Sequence, residues 1–376
     1  MRLFLWGMIV TIGLSSPLFS RDSGSPGSAP ARLAIYYGYP SLVNQSQGDV
    51  EKAAAVFGAY DVVVLGDGIE FPDKKSGRYP EGDPEEHQKA LRMMAAVRRN
   101  NPGTRFFGYV CLGEIPSRKP EVVALSSQEL EERFRLWKQM GVAGIFLDEA
   151  GYDYAAITRK RQNLAVGMIH DLGLGAFMNA YFIDHLFSAD DNLPYSNGAG
   201  KNPEHLATLL DRRDLFLLES FQIKNGTYES ADAWQPRLKQ ALLYRRRYGA
   251  HIFSTTTTND RQPFDPGMFN YAWWTARLYD LDGFSWGEPN FAASDNALPD
   301  HRCKLETVVL PASSPVGSDR TQFWKKAGDS VVVVDTREHA VHRVPVAESA
   351  GSNGIETMLH SPQKEASLIT CGGAHE

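Results

Sequence analysis

Short apolar runs recur along this chain, separated by stretches with helical spacing. Leu33 to Tyr37, Tyr60 to Leu65, Arg105 to Val110, Gly144 to Asp148, Ala176 to Asn179, Leu215 to Glu219, His251 to Ser254 and Gly283 to Trp286 make eight such runs. Runs that stay apolar instead of alternating belong to strands covered on both faces, so helices between them predict a parallel sheet inside a helical layer. The helical stretches mark their own ends. Asp83-Pro84-Glu85-Glu86 supplies an N-cap, a proline at the first helical position and a glutamate three residues on, and Asn100-Asn101-Pro102-Gly103 stops that helix. Ser126 and Glu129 form a second capping box, followed by Leu130, Phe134 and Trp137 at helical spacing and a stop at Gly141.

The runs and helices fill positions 33 to 291, the ~250-residue length of a closed (β/α)8 TIM barrel, an α/β fold. An open doubly wound sheet is the alternative, but no GxGxxG turn follows the first run. Beyond Pro299 the pattern changes to β: Gln322 to Lys326, Asp329 to Asp335 and His342 to Val346 read as short strands of a small C-terminal appendage. At the other end, Arg2 precedes an apolar run of signal-peptide length, too short to span a bilayer, and a Ser/Gly/Pro-rich stretch follows it. The expected organisation is a signal peptide over 1–20, a flexible tether over 21–31, a barrel over 32–298 and a β-rich appendage over 299–376. The expected product is secreted or periplasmic, with no stable membrane insertion once the leader is cut.

Composition narrows the function. Of 376 residues, 39 are basic and 45 acidic, a net charge of −6, which argues against a nucleic-acid partner because such binding rests on a basic patch. Aromatic residues make up 11%, enough to supply the flat platforms on which sugars stack. The three cysteines show no zinc spacing, and Cys303 with Cys371 is the candidate disulfide.

Barrel active sites lie at the C-terminal strand ends. Here those ends carry carboxylates and no histidine, which leaves a Ser/His/Asp triad or a multi-histidine metal cage without support. Asp148 shares a strand face with Phe146 by alternation, Glu149 opens the following loop, and Glu219 closes the sixth run. An acid ending an apolar run is costly to bury unless it is protonated, paired or used. Two carboxyls facing across a barrel mouth suit glycoside hydrolysis, in which one protonates the leaving oxygen while the other attacks the anomeric carbon or activates water. Tyr36, Tyr37, Tyr181 and Trp286 are candidates for lining a saccharide groove, and Asp67, Glu114 and Asn179 for polar contacts to substrate. Each also has a plainer reading as rim packing, a Gly66-Asp67-Gly68 turn, an ion pair with Arg118 or a loop cap. No cofactor is implied.

The strings Phe107-Gly108-Tyr109-Val110-Cys111-Leu112-Gly113-Glu114, Gly144-Ile145-Phe146-Leu147-Asp148-Glu149, Met178-Asn179 and Leu218-Glu219 resemble the endo-α-1,4-polygalactosaminidases (glycoside hydrolase family 114) and the related spherulin-4-like hydrolases. The resemblance runs in order from about Leu33 to Pro289. It implies a hydrolase of galactosamine-containing exopolysaccharide, with Asp148 as nucleophile, Glu219 as acid/base and Glu149 as supporting carboxylate. The loop Gly151 to Tyr154 and the region Asn192 to Asn202 depart from that pattern. Two other functions compete: a divalent-metal enzyme using Asp148, Asn179 and Glu219 as oxygen ligands, and a non-catalytic saccharide-binding barrel.

Overall fold

Eight parallel strands close on themselves in the computed structural model, which describes residues 29–66, 68–74, 81–114, 124–198, 200–258, 264–287, 303–305, 310, 316–319, 321–345 and 369–371. Strand β1 (Ala31–Tyr36) leads through helix α1 (Val50–Phe57) to β2 (Val62–Leu65), and α2 (Pro84–Asn100) leads to β3 (Arg105–Cys111). Then come α3 (Ser127–Met140), β4 (Gly144–Asp148), α4 (Arg159–Asp171), β5 (Gly175–Asn179), α5 (Asp184–Phe187) and β6 (Leu215–Leu218). A short hairpin, β7 (Ile223–Lys224) with β8 (Thr227–Tyr228), precedes α6 (Ala231–Tyr248), β9 (His251–Thr255), α7 (Pro266–Leu278) and β10 (Gly283–Ser285). Strand β10 pairs with β1 through Ala31–Gly283 and Arg32–Phe284, and this closes the barrel.

The helix ends lie where the caps put them. Asp83 accepts from the amides of Glu85 and Glu86 at 3.0 and 3.1 Å, and Ser126 and Glu129 cap one another reciprocally. Gly141 ends α3 at φ +80°, a conformation open to glycine because it has no Cβ.

Alternation along each strand sorts the side chains into two layers. Leu33, Ile35, Val62, Val64, Phe107, Phe146, Phe177, Leu215, Leu217 and Phe253 fill the barrel interior. Phe177 sits among Phe107, Phe146 and Phe253 at ring distances of 5.6, 5.1 and 5.5 Å. Gly283 makes room for this plug, because a Cβ there would lie 2.0 Å from the Phe253 ring. The residues between, such as Val63, Ile145, Met178 and Phe216, pack outward against the helices.

The appendage is a four-stranded antiparallel sheet of β12 (Gly317–Ser318), β13 (Gln322–Ala327), β14 (Ser330–Asp335) and β15 (Ala340–Pro345). It lies against the barrel's helices, with Lys325 Nζ 2.7 Å from Asp280. Cys303 in β11 (Cys303–Leu305) stands opposite Cys371 in β16 (Ile369–Cys371) in the ladder the two strands form. The leader and most of the tether lie outside the described residues, among which no helix is long and apolar enough to cross a membrane.

Candidate active site

The inward register that carries Phe146, Phe177 and Leu217 continues one step further to Asp148, Asn179 and Glu219, on or just past three neighbouring strands. Asn179 is the middle member and joins the other two. Its amide nitrogen donates to Asp148 Oδ1 and to Glu219 Oε2, both at 2.9 Å. The orientation follows from the network, since the opposite one would turn the amide oxygen toward two carboxylates. Both acceptor oxygens therefore lie within twice that distance of one another.

The two acids sit in unlike surroundings. Three donors converge on Asp148: Tyr109 Oη, the Glu149 amide and Asn179, each at 2.9 Å. An ionised carboxylate, which only accepts, suits that arrangement. Around Glu219, burial pushes the carboxyl pKa above its ordinary value; the hydrogen bond from Asn179 pulls it down, the charge of Asp148 raises it again, and Arg237 and Lys224 oppose both increases with positive charge. The net shift is upward, toward a carboxyl that keeps its proton.

Glu149 sits at φ +52° where the chain turns out of β4. Its Oε2 accepts from the Glu114 amide at 2.9 Å and lies 3.5 Å from the Cys111 thiol, so it ties the loop after β3 to the loop after β4. A Cβ at Gly113 would come within 2.5 Å of that side chain, so only glycine lets it close. Burial raises the Glu149 pKa as well.

The remaining candidates divide. Tyr37 faces inward and meets Tyr109, the donor to Asp148, edge-on at 4.9 Å. Glu114 accepts from the Ala155 amide at 3.1 Å. Tyr181 stands at the mouth, with the Arg237 guanidinium 4.1 Å and the Lys224 ammonium 4.6 Å from its ring centre. Tyr36 does not line the mouth: it is one position out of the inward register, fully buried, and packed edge-on against Phe57 of α1 at 5.3 Å. Trp286 likewise follows the outward Phe284 and packs on Phe264 and Phe269 at 5.5 and 5.9 Å. Asp67 lies outside the described residues.

Three neighbours of the acids were not anticipated. Tyr109 was legible, because it alternates with Phe107 on the inward face of β3. The hydroxyl of Tyr154, in the unmatched loop after β4, has its pKa raised by burial and then by the charges of Glu149, Asp148, Asp153 and Glu219. Arg237 reaches the rim from α6 and donates to the Glu219 carbonyl at 2.5 Å. Nothing local in the sequence marks it.

Asn179 turns its amide nitrogen toward both carboxylates, so the three side chains do not present a convergent set of oxygens to a cation. His170, Asp211 and Asp214 do gather metal-competent atoms within 4.8 Å of one another, at the opposite end of the barrel. There Arg213 forks onto Asp211 at 2.9 to 3.2 Å, and His170 and the Ala176 amide occupy Asp214.

Fold and site together define a (β/α)8 barrel with a carboxylate-lined mouth. No protein-family model matches the chain, and no curated protein sequence matches it. Among solved structures it is similar over 70% of its length to the protein CpGH84B, at 12% identity and a TM-score of 0.40, and the match spans 46% of that chain. It is similar over 71% of its length to a GH5-4 broad-specificity endoglucanase from Ruminococcus champanellensis with bound cellotriose, at 8% identity and a TM-score of 0.41, spanning 91% of that chain.

Proposed function

We propose that the protein is an exported glycoside hydrolase that cleaves galactosamine-containing exopolysaccharide. The observation that carries the reading is Asn179 holding Asp148 and Glu219 from its two sides, in surroundings that favour an ionised acid at one and a protonated acid at the other. Glu219 protonates the glycosidic oxygen as the bond to the anomeric carbon breaks, and Asp148 attacks that carbon. Water, deprotonated by the Glu219 carboxylate, then releases the sugar and regenerates both groups. The closeness of the two bridged oxygens supports direct attack, since a pair that activates an intervening water keeps its carboxyls ~6.5–9.5 Å apart. The sugar class follows from the motif resemblance, and export from the N-terminal apolar run.

The test is release of reducing ends from purified galactosamine-rich polymer. Activity in the wild type that falls ~10²–10⁴-fold in Glu219→Gln is expected. A wild type that binds the polymer without cutting it would make the barrel a saccharide-binding protein.

A further inference from the structure

The C-terminal sheet touches the catalytic mouth through two lines of stacked and edge-on rings. In the first, Phe323 of β13 meets Trp234 of α6 at 5.6 Å, and Trp234 meets Phe221, two residues past Glu219, at 5.5 Å. In the second, His339, in the turn between β14 and β15, lies flat on Tyr228 with centroids 4.0 Å apart and planes 7° from parallel. The same imidazole meets Tyr271 of α7 edge-on at 5.5 Å. Tyr228 stands opposite Ile223 in the β7–β8 hairpin, and the next residue on that strand is Lys224, which donates to Tyr181 Oη at 3.2 Å.

The backbone between Glu219 and the hairpin needs such support. Ser220 and Gln222 hold φ values of +49° and +67°, a left-handed conformation that residues with a Cβ keep only where their surroundings impose it. Part of the restraint comes from the barrel: the Phe221 amide donates to Thr255 O at 2.8 Å, and buried Gln222 donates to Thr275 Oγ1 at 3.0 Å. Tyr228 itself is met edge-on by Tyr271 of α7 at 5.5 Å and face-on by His339, so the His339 ring closes a three-ring cluster over the hairpin.

We propose that the C-terminal sheet is a positioning element of the catalytic site, with His339 acting through Tyr228 and Phe323 acting through Trp234 to hold residues 220–228 in the conformation that sets Glu219 against Asn179. Neither residue touches substrate. The competing role for an appendage of this kind, a separate saccharide-binding module, would need neither line of rings. The inference rests on the glycosidase reading only in its kinetic arm.

Hydrogen exchange of the full-length protein tests the coupling without any substrate. In His339→Ala, exchange in residues 220–229 should rise about tenfold while Val62–Leu65 and Arg105–Cys111 keep wild-type protection. His339→Phe, which retains a flat ring over Tyr228, should restore it. On the polymer, His339→Ala should lower kcat with KM unchanged. Its alkaline limb should move to lower pH, because water admitted beside Glu219 relieves the burial that, together with the charge of Asp148, outweighs the Asn179 hydrogen bond and the charges of Arg237 and Lys224; the Tyr154 hydroxyl also faces these acids. Wild-type exchange in both His339→Ala and Phe323→Ala would overturn the proposal, as would loosening that spreads through the barrel or that His339→Phe fails to reverse. If the wild type turns over no polymer, the glycosidase reading falls, and the exchange arm still decides the coupling.

Discussion

The two ends of the barrel use the same residue types to opposite effect. At the N-terminal end, Asp61, Asp214 and Asp282 each stand immediately before a strand and accept a backbone amide from the neighbouring one: Arg32 at 2.7 Å, Ala176 at 2.8 Å and Ile252 at 2.9 Å. Each also meets a basic side chain, Arg32, His170 and His251 respectively. Burial alone would push the Asp282 carboxyl up, but the hydrogen bond and charge of His251, the Ile252 amide and Arg245 outweigh it and hold the pKa below its ordinary value. At the C-terminal end, Glu149 and Glu219 are shifted the other way. An acid satisfied by amides and cations closes a sheet, whereas one whose burial is only partly offset suits the proton transfer proposed for Glu219.

Substitutions at the two ends should separate these roles. The largest effect expected is on turnover: Asp148→Asn and Glu219→Gln should each cost ~10²–10⁴-fold in kcat, with melting temperature unchanged or raised, as read by reducing-end assay and thermal unfolding. Loss of stability without loss of chemistry would erase the contrast. Between the ends, Phe177→Ala removes the ring at the centre of the interior plug and should cost ~3–5 kcal/mol in urea unfolding. A value near zero would mean that the plug does not hold the barrel together. At the N-terminal end, Asp214→Ala strands the Ala176 amide and His170, and should cost ~1–3 kcal/mol while leaving turnover per folded molecule intact. An equal fall in turnover would place the N-terminal acids in the catalytic machinery.

The smallest effect is the most diagnostic, because the two ends should respond to pH with opposite signs. The folded-state pKa of Asp282 is depressed, so its contribution to stability is present above the ordinary carboxylate value and is lost as pH falls through the folded value. That of Glu219 is raised, so its contribution is present at low pH and is lost as pH rises through the folded value, together with the proton that the proposed reaction uses. Asp282→Asn should therefore flatten the acid side of the stability curve. Glu219→Gln should flatten the segment above the ordinary glutamate pKa. Unfolding midpoints measured across pH would show identical curves if the two ends did not differ.

Much of this was readable in the chain. The eight runs and the facing of Asp148 and Glu219 follow from periodicity, because a strand end repeats the register of its own run. Of the two capping boxes read from the sequence, the one at Ser126 and Glu129 closes reciprocally, whereas Asp83 caps α2 while Glu86 turns to Ser41 and Lys89. The same rule applied to aromatic residues separates Tyr37 and Tyr109, which face inward, from Tyr36 and Trp286, which pack under helices. Asp61, Asp214 and Asp282 look like ordinary turn residues, and only closure of the sheet reveals that each reaches across to the next strand. Asn225-Gly226 marks a glycosylation sequon and also a two-residue hairpin turn; φ values of +50° and +69° at these positions are those of the turn. Arg237 lies on α6, 18 positions from Glu219 along the chain, and its place at the rim is set by helix packing that no local pattern encodes.

Asn179 has a consequence for how protons move. A carboxamide has no proton to give or take near neutral pH, and here both of its amide hydrogens are already committed, one to each acid. It therefore works as an insulator between Asp148 and Glu219, which cannot pool a single proton as two carboxyls in direct contact do. In the proposed reaction the proton leaving Glu219 passes to the substrate or to water, while the charge of Asp148 still acts on Glu219 across the amide and raises its pKa.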